Sequence, residues 1–199
     1  VTLSGVVVFG SGAVAEAKSL RLQDRSIADM ANEALEALAA WRQDESPAHY
    51  VTYLEGRDLV ARHISNELAV ESTDLEQAWR DLPMVRQVVA LTAVAQVGIK
   101  YRYLGKNPVE GFDCSGLTGF AWSTAGQFIG HNSRVQYQAG NKISAEQAQA
   151  GDLIWYPGHI MMYLGASNIV VHAPYTGRNV EIRQMVSSRT RTAKYSSPI

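Results

Sequence analysis

The chain has 199 residues and a formal net charge of −1, with 46% hydrophobic and 19% charged residues. That is enough for one sizeable core; no apolar run reaches the roughly 18 residues of a membrane span, and a single cysteine excludes an intrachain disulfide. Charge is unevenly spread, with a net −7 over residues 1–82 and +6 over residues 83–199, which suits either an anionic partner for the basic half or docking of the acidic half upon it.

At the start, Val6-Val7-Val8-Phe9 is apolar, and Ala13-Val14-Ala15 has the character of an export cleavage site, without a basic segment before it. From about Glu16 to Trp41, Leu20, Ile27, Ala31, Ala34, Leu38 and Trp41 recur at helical spacing. Gln43 to Pro47 breaks the pattern. A second helix follows, with Tyr50, Tyr53, Leu54, Val60, Ala61, Ile64 and Leu68 inward, although Gly56 sits poorly in it. The two read as a helical hairpin. His49 and His63 lie there without a partner motif and read as surface or packing residues. Thr73 and Glu76 have the spacing of a capping box. A further helix is expected from Met84 to about Val97, ended by Gly98. The division expected is a helical region over 1–80, for targeting, regulation or packing, and a second domain over 81–199.

Next comes Gly111-Phe112-Asp113-Cys114-Ser115-Gly116-Leu117, then the apolar spacing of a buried helix to Trp122. Asp113 is placed to cap that helix, which puts Cys114 in its first turn. A helix N-terminus favours the thiolate, so Cys114 is expected to titrate below a free thiol. A buried inert cysteine is the bland alternative. The flanking glycines, the cap and the histidines downstream favour a nucleophile. Residues 126–149 read as loop and short helix. Strands follow at Gly151–Tyr156, His159–Leu164, Ile169–His172 and Asn179–Ile182, with turns at Pro157-Gly158 and at Gly165 to Asn168. They form an antiparallel meander. Arg183 to Ile199 reads as a polar, loosely packed tail with room for one last strand. Helices first and strands after define an α+β fold.

Cys114 needs a base. His159 and His172 open and close neighbouring strands, so a hairpin brings them together. His131 lies in the polar loop without such geometry. Zinc is the competing chemistry, but Cys114 is 45 residues from His159 and no His-Glu-x-x-His pattern is present. Phosphate loops and dinucleotide fingerprints are absent as well. No metal, cofactor or nucleic-acid partner is expected.

The stretches Phe112–Leu117, Ala150–Ile154, His159–Gly165 and Val171–Pro174 together resemble the NlpC-type cysteine peptidases, bacterial cell-wall hydrolases with a papain-like fold. The resemblance covers roughly Met84 to Ile182. It implies an antiparallel sheet packed on helices, with Cys114 as nucleophile, His159 as base and His172 as orienting residue. The family tyrosine thought to help bind the oxyanion falls on Tyr101, in a loop whose Pro, Trp and one Gly have changed. Asp113 and Ser115 are carried over as residues of the oxyanion or substrate site. A family Leu-Pro-Arg-Thr-Ser-x-x-Gln stretch reads Ile129 to Gln136, with His131 in place of the Arg. The resemblance also implies secretion, stem peptides of peptidoglycan as substrate, and cleavage after γ-D-glutamate, before diaminopimelate or lysine. Related amidases cut between muramic acid and L-alanine, and a non-catalytic wall-binding module is the remaining alternative. The N-terminal helices are left to dock on the catalytic domain or on a partner.

Overall fold

The computed structural model describes residues 26–186 and 192–199. The apolar N-terminal stretch and the first part of the expected first helix lie outside these residues. Four helices come first: α1 (Ile27–Asp44), α2 (Pro47–Glu67), α3 (Ser72–Arg80) and α4 (Met84–Val94). Ser26 caps α1, its side chain accepting from the Asp29 N–H. The hairpin of α1 and α2 crosses closely. A Cβ on Gly56 would meet the Ala34 Cβ at 3.0 Å, so the glycine that reads as a helix weakness is what lets the two backbones approach.

The expected capping box at Thr73 does not form. Glu71 holds the N-cap position without a side-chain bond, so Glu76 falls inside α3. There it pairs with Arg62 at 3.1 Å and Arg80 at 3.2 Å.

The second half holds a small hairpin, β1 (Lys106–Asn107) and β2 (Gly111–Phe112), then α5 (Cys114–Thr124), α6 (Ser133–Ala139) and six strands. These are β3 (Asn141–Ile143), β4 (Leu153–Tyr156), β5 (His159–Tyr163), β6 (Ile169–His172), β7 (Glu181–Gln184) and β8 (Lys194–Ser197). The sheet order is β3-β8-β4-β5-β6-β7, with every pair antiparallel. The meander is as expected from β4 to β7. The C-terminal segment differs from the loose tail: β8 inserts between β3 and β4, with Ser196 fully buried. Its stability comes from main-chain pairing on both sides, which a polar sequence does not advertise.

Alternation along the strands sorts side chains onto two faces. Leu153, Trp155, Ile160, Met162, Ile169 and Val171 join the main core. Ile154, Met161, Val170, Met185 and Tyr195 form a smaller cluster on the other face. The main core also takes in Ile27, Leu38, Tyr53, Ile64 and Trp79 from the N-terminal helices. The expected boundary near residue 80 therefore falls within continuous buried structure. The Trp79 indole N–H donates to the Leu164 carbonyl at 2.6 Å. Tyr53 Oη donates to Gln87 Oε1 at 2.6 Å, and burial pushes that phenol up to about 12.

Two polar anchors fix the strand that precedes the candidate site. Arg86 on α4 pairs with Asp152 at 2.8 Å, both almost fully buried, and also donates to the Ala150 carbonyl and Ser197 Oγ. The Trp122 indole on α5 donates to the Gly151 carbonyl at 3.0 Å. Residues 150–152 are thus gripped by both core helices immediately before β4.

Candidate active site

Asp113 is the N-cap of α5, its Oδ1 accepting from the Gly116 N–H at 2.7 Å. Cys114 is therefore the first helical residue, as the sequence implies. Gly116 is required by close approach: an added Cβ would lie 2.0 Å from the Gly105 carbonyl oxygen. That contact presses the start of α5 against the β1–β2 hairpin.

The Cys114 thiol is half-buried. Burial pushes it up, opposed by the backbone N–H groups of Ile160, Ser115 and Cys114. The expectation of a depressed thiol is corrected in direction, because removal from water outweighs the helix terminus here. The Ile160 contact is the informative one. It brings the sulfur to the start of β5, one residue from His159.

His159 and His172 meet as the hairpin implies. His159 Nε2 lies 2.8 Å from His172 Nδ1, with the rings edge-on at 75°. The register pairs Met162 with Val171, so the two histidines are diagonal rather than directly opposite neighbours, within reach for rings of this size. His172 is buried and His159 half-buried. The second nitrogen of His172 faces Glu181 Oε1 at 3.4 Å, just outside hydrogen-bond length.

Asp113, Ser115 and Tyr101 surround the thiol. Asp113 Oδ1 also accepts from Ser115 Oγ at 3.1 Å, and Oδ2 accepts from the Leu104 N–H at 3.1 Å. Asp113 and Ser115 are both buried. The Tyr101 N–H donates to the Arg178 carbonyl at 2.8 Å. Its phenol is raised, first by burial and then by the charges of Cys114 and Asp113. It therefore stays protonated and able to donate.

Two participants escape sequence reasoning. His131 Nε2 sits 2.9 Å from Asp113 Oδ1, so the loop histidine does reach the site. The signal was its place in the Ile129–Gln136 stretch, where the family Arg stands. Gln136 is buried, donating to the Ser115 and Gly130 carbonyls and accepting from Thr118 Oγ1. It ties this loop to α5.

A cavity of about 180 Å³ lies along α5, lined by Lys106, Ser115, Gly119, Phe120, Phe128 and His131 among others. Another of about 260 Å³ adjoins the histidines, with Tyr156, Tyr175 and Arg183 in its walls. Among the described residues no cluster of three His, Cys, Asp or Glu side chains could hold a metal ion. A thiol at a helix N-terminus, a histidine pair beside it and donors for a developing oxyanion can together perform acyl transfer.

Comparison with known proteins identifies the family of this fold. A family model described as the NlpC/P60 family matches residues 98–196. Dipeptidyl-peptidase 6 of Lysinibacillus sphaericus is 36% identical over 101 residues, which are 50% of this chain and 36% of that protein. Peptidoglycan endopeptidase RipA of Mycolicibacterium smegmatis is 33% identical over 118 residues, 51% of this chain and 24% of that protein. The crystal structure of the P60 domain of an antigen from M. avium subspecies paratuberculosis superposes with a TM-score of 0.50 at 26% identity, covering 56% of this chain and 93% of that one. The chain belongs to the NlpC/P60 family through its C-terminal half. It spans only 36% and 24% of the lengths of the two curated relatives.

Proposed function

We propose that this protein is a cysteine endopeptidase that cuts the stem peptides of peptidoglycan outside the cytoplasm. The observation that carries the reading is the thiol of Cys114 at the N-terminus of α5, facing the Ile160 main chain at the start of β5, where His159 and His172 pair. The similarity to a peptidoglycan endopeptidase supports the substrate class.

In the proposed reaction the Cys114 proton passes to His159 and the sulfur attacks the amide carbonyl. The oxyanion accepts from the Cys114 N–H and the Tyr101 hydroxyl. The C–N bond breaks as His159 returns the proton to the leaving amine, leaving a thioester on Cys114. Water then gives a proton to His159 and attacks the thioester, and the thiol is restored. The bond proposed is the one after γ-D-glutamate, before diaminopimelate or lysine.

The described helices of residues 27–80 are assigned a packing role: Trp79 bonds the Leu164 carbonyl just after β5, and Tyr53 bonds Gln87 on α4. No helix among the described residues is long and apolar enough to cross a membrane.

Digestion of purified wall, with mass analysis of the fragments, tests the reading. New amino groups on the residue after D-glutamate, and no new reducing sugar ends, are expected. Fragments cut between muramic acid and L-alanine would make it an amidase. Sugar ends would overturn the peptidase reading, and an inert wall would leave a binding module.

A further inference from the structure

We propose that Glu181 is an outer positioning residue of the site, holding His172 in the tautomer that leaves His159 able to act as a base. The proposal rests on the reading of Cys114, His159 and His172 given above. Glu181 stands directly opposite His172 in the β6–β7 register. Its Oε1 faces His172 Nε2 at 3.4 Å, and its side chain is only 23% exposed.

A neutral imidazole carries one N–H, and one proton fits between two facing ring nitrogens. His159 Nε2 and His172 Nδ1 share such a contact at 2.8 Å. Two arrangements satisfy it. In one, His159 Nε2–H donates to His172 Nδ1, and His172 carries its own proton on Nε2. His159 Nδ1 then bears the lone pair that takes the thiol proton. In the other, His172 Nδ1–H donates to His159 Nε2, the His159 proton sits on Nδ1, and His159 cannot serve as base.

An ionised carboxylate only accepts, so Glu181 opposite His172 Nε2 favours the first arrangement. The same charge stabilises the His159 imidazolium formed as the thiolate attacks, through the intervening ring. No proton passes to Glu181, since the thiol proton goes to His159 Nδ1 and from there to the leaving amine.

The groups around the carboxylate keep it aimed. Arg178, in the segment before β7, donates to Oε2 and leaves Oε1 to His172. Arg183 on β7 lies 3.8 Å from Oε1. On the far side the Tyr156 ring packs against His159, 5.4 Å between centroids. Tyr175 lines the cavity beside both histidines and bonds Arg178. These, with Cys114, Asp113 and Tyr101 about the thiol, are the titratable and charged groups facing the array among the described residues.

The test combines tautomer and rate in the full chain. Nitrogen-15 NMR of the imidazoles is expected to show His172 protonated on Nε2 in the wild type, and a shift toward Nδ1 protonation in Glu181→Gln. This readout stands whether or not wall peptides prove to be the substrate. With a cleaved substrate, Glu181→Gln is expected to lower kcat by ~10–100-fold with little change in KM, the loss appropriate to a group one ring removed from the base. Loss of the negative charge lowers the affinity of the histidine pair for a proton, so the acidic limb of kcat/KM moves to lower pH. Glu181→Asp is expected to restore part of kcat and to return the limb toward the wild type. It also serves as the second variant where Gln impairs folding. Wild-type His172 protonated on Nδ1 would overturn the proposal. So would folded Glu181→Gln and Glu181→Asp with unchanged kcat and an unmoved limb, or a change in KM alone.

Discussion

Two buried polar regions of this molecule use their groups in opposite ways. At the junction of α4 with the sheet, Arg86 is saturated by Asp152, the Ala150 carbonyl and Ser197 Oγ. Nearby, Gln87 accepts from Tyr53 and Arg57 and donates to the Leu82 carbonyl. Around Cys114 the partners are instead a thiol, two imidazoles and a phenol, groups that can gain or lose a proton. The first region fixes where β4 begins and β5 ends. The second sits at the other end of that hairpin, where β4 ends and β5 begins, and there a proton can travel from thiol to imidazole to amine. Saturated pairs hold the frame, and exchangeable groups on that frame are left for chemistry.

Substitutions that strike one region and spare the other break the comparison cleanly. The largest expected effect is His159→Ala, which removes the proposed base. Turnover of a stem peptide is expected to fall ~10³-fold, within the usual contribution of acid–base catalysis, with an unchanged denaturation midpoint. Asp152→Ala should do the reverse. It leaves Arg86 buried without its carboxylate, at a cost of about 3–5 kcal/mol in urea unfolding, while the chemistry of the protein that remains folded is preserved.

Tyr101→Phe removes one proposed oxyanion donor. A ~10²-fold fall in kcat with little change in KM is expected, and an unchanged kcat would take Tyr101 out of the site. The smallest effect concerns the thiol itself. Because burial raises it, alkylation of Cys114 in the free protein should rise with a midpoint above about 8.5, the value of an exposed thiol. The folded thiol then keeps its proton to higher pH than the unfolded one. Its contribution to stability is present below the ordinary thiol range and lost as pH rises through the raised value. A plateau of fast alkylation near neutral pH would show instead a resting ion pair with His159.

The parts legible in the sequence are those governed by local rules. Asp113 before Cys114 announces a capped helix, and a two-residue turn at Pro157-Gly158 announces the hairpin that starts at His159. The short continuous apolar runs of β4, β5 and β6, bounded by turn residues, announce strands buried on both faces. What escaped depends on distant partners. β8 is a polar segment whose burial comes from pairing with β3 and β4, far back in the chain. Glu76 looks like a cap residue from its spacing, yet it serves Arg62 on α2 and Arg80 one turn along α3. His131 reads as a loop residue until the fold brings Asp113 to it, and Glu181 reads as an ordinary strand residue until β7 places it opposite His172.

The most direct test is the release of amine from a purified stem peptide by Cys114→Ala beside the wild type, with folding of both checked by circular dichroism. The wild type is expected to release one amine per bond cut and, on rapid acid quench, to carry the acyl fragment as a thioester on the peptide containing Cys114. The folded variant is expected to release none and to carry no adduct. Release by Cys114→Ala at close to the wild-type rate would show that the sulfur is not the nucleophile.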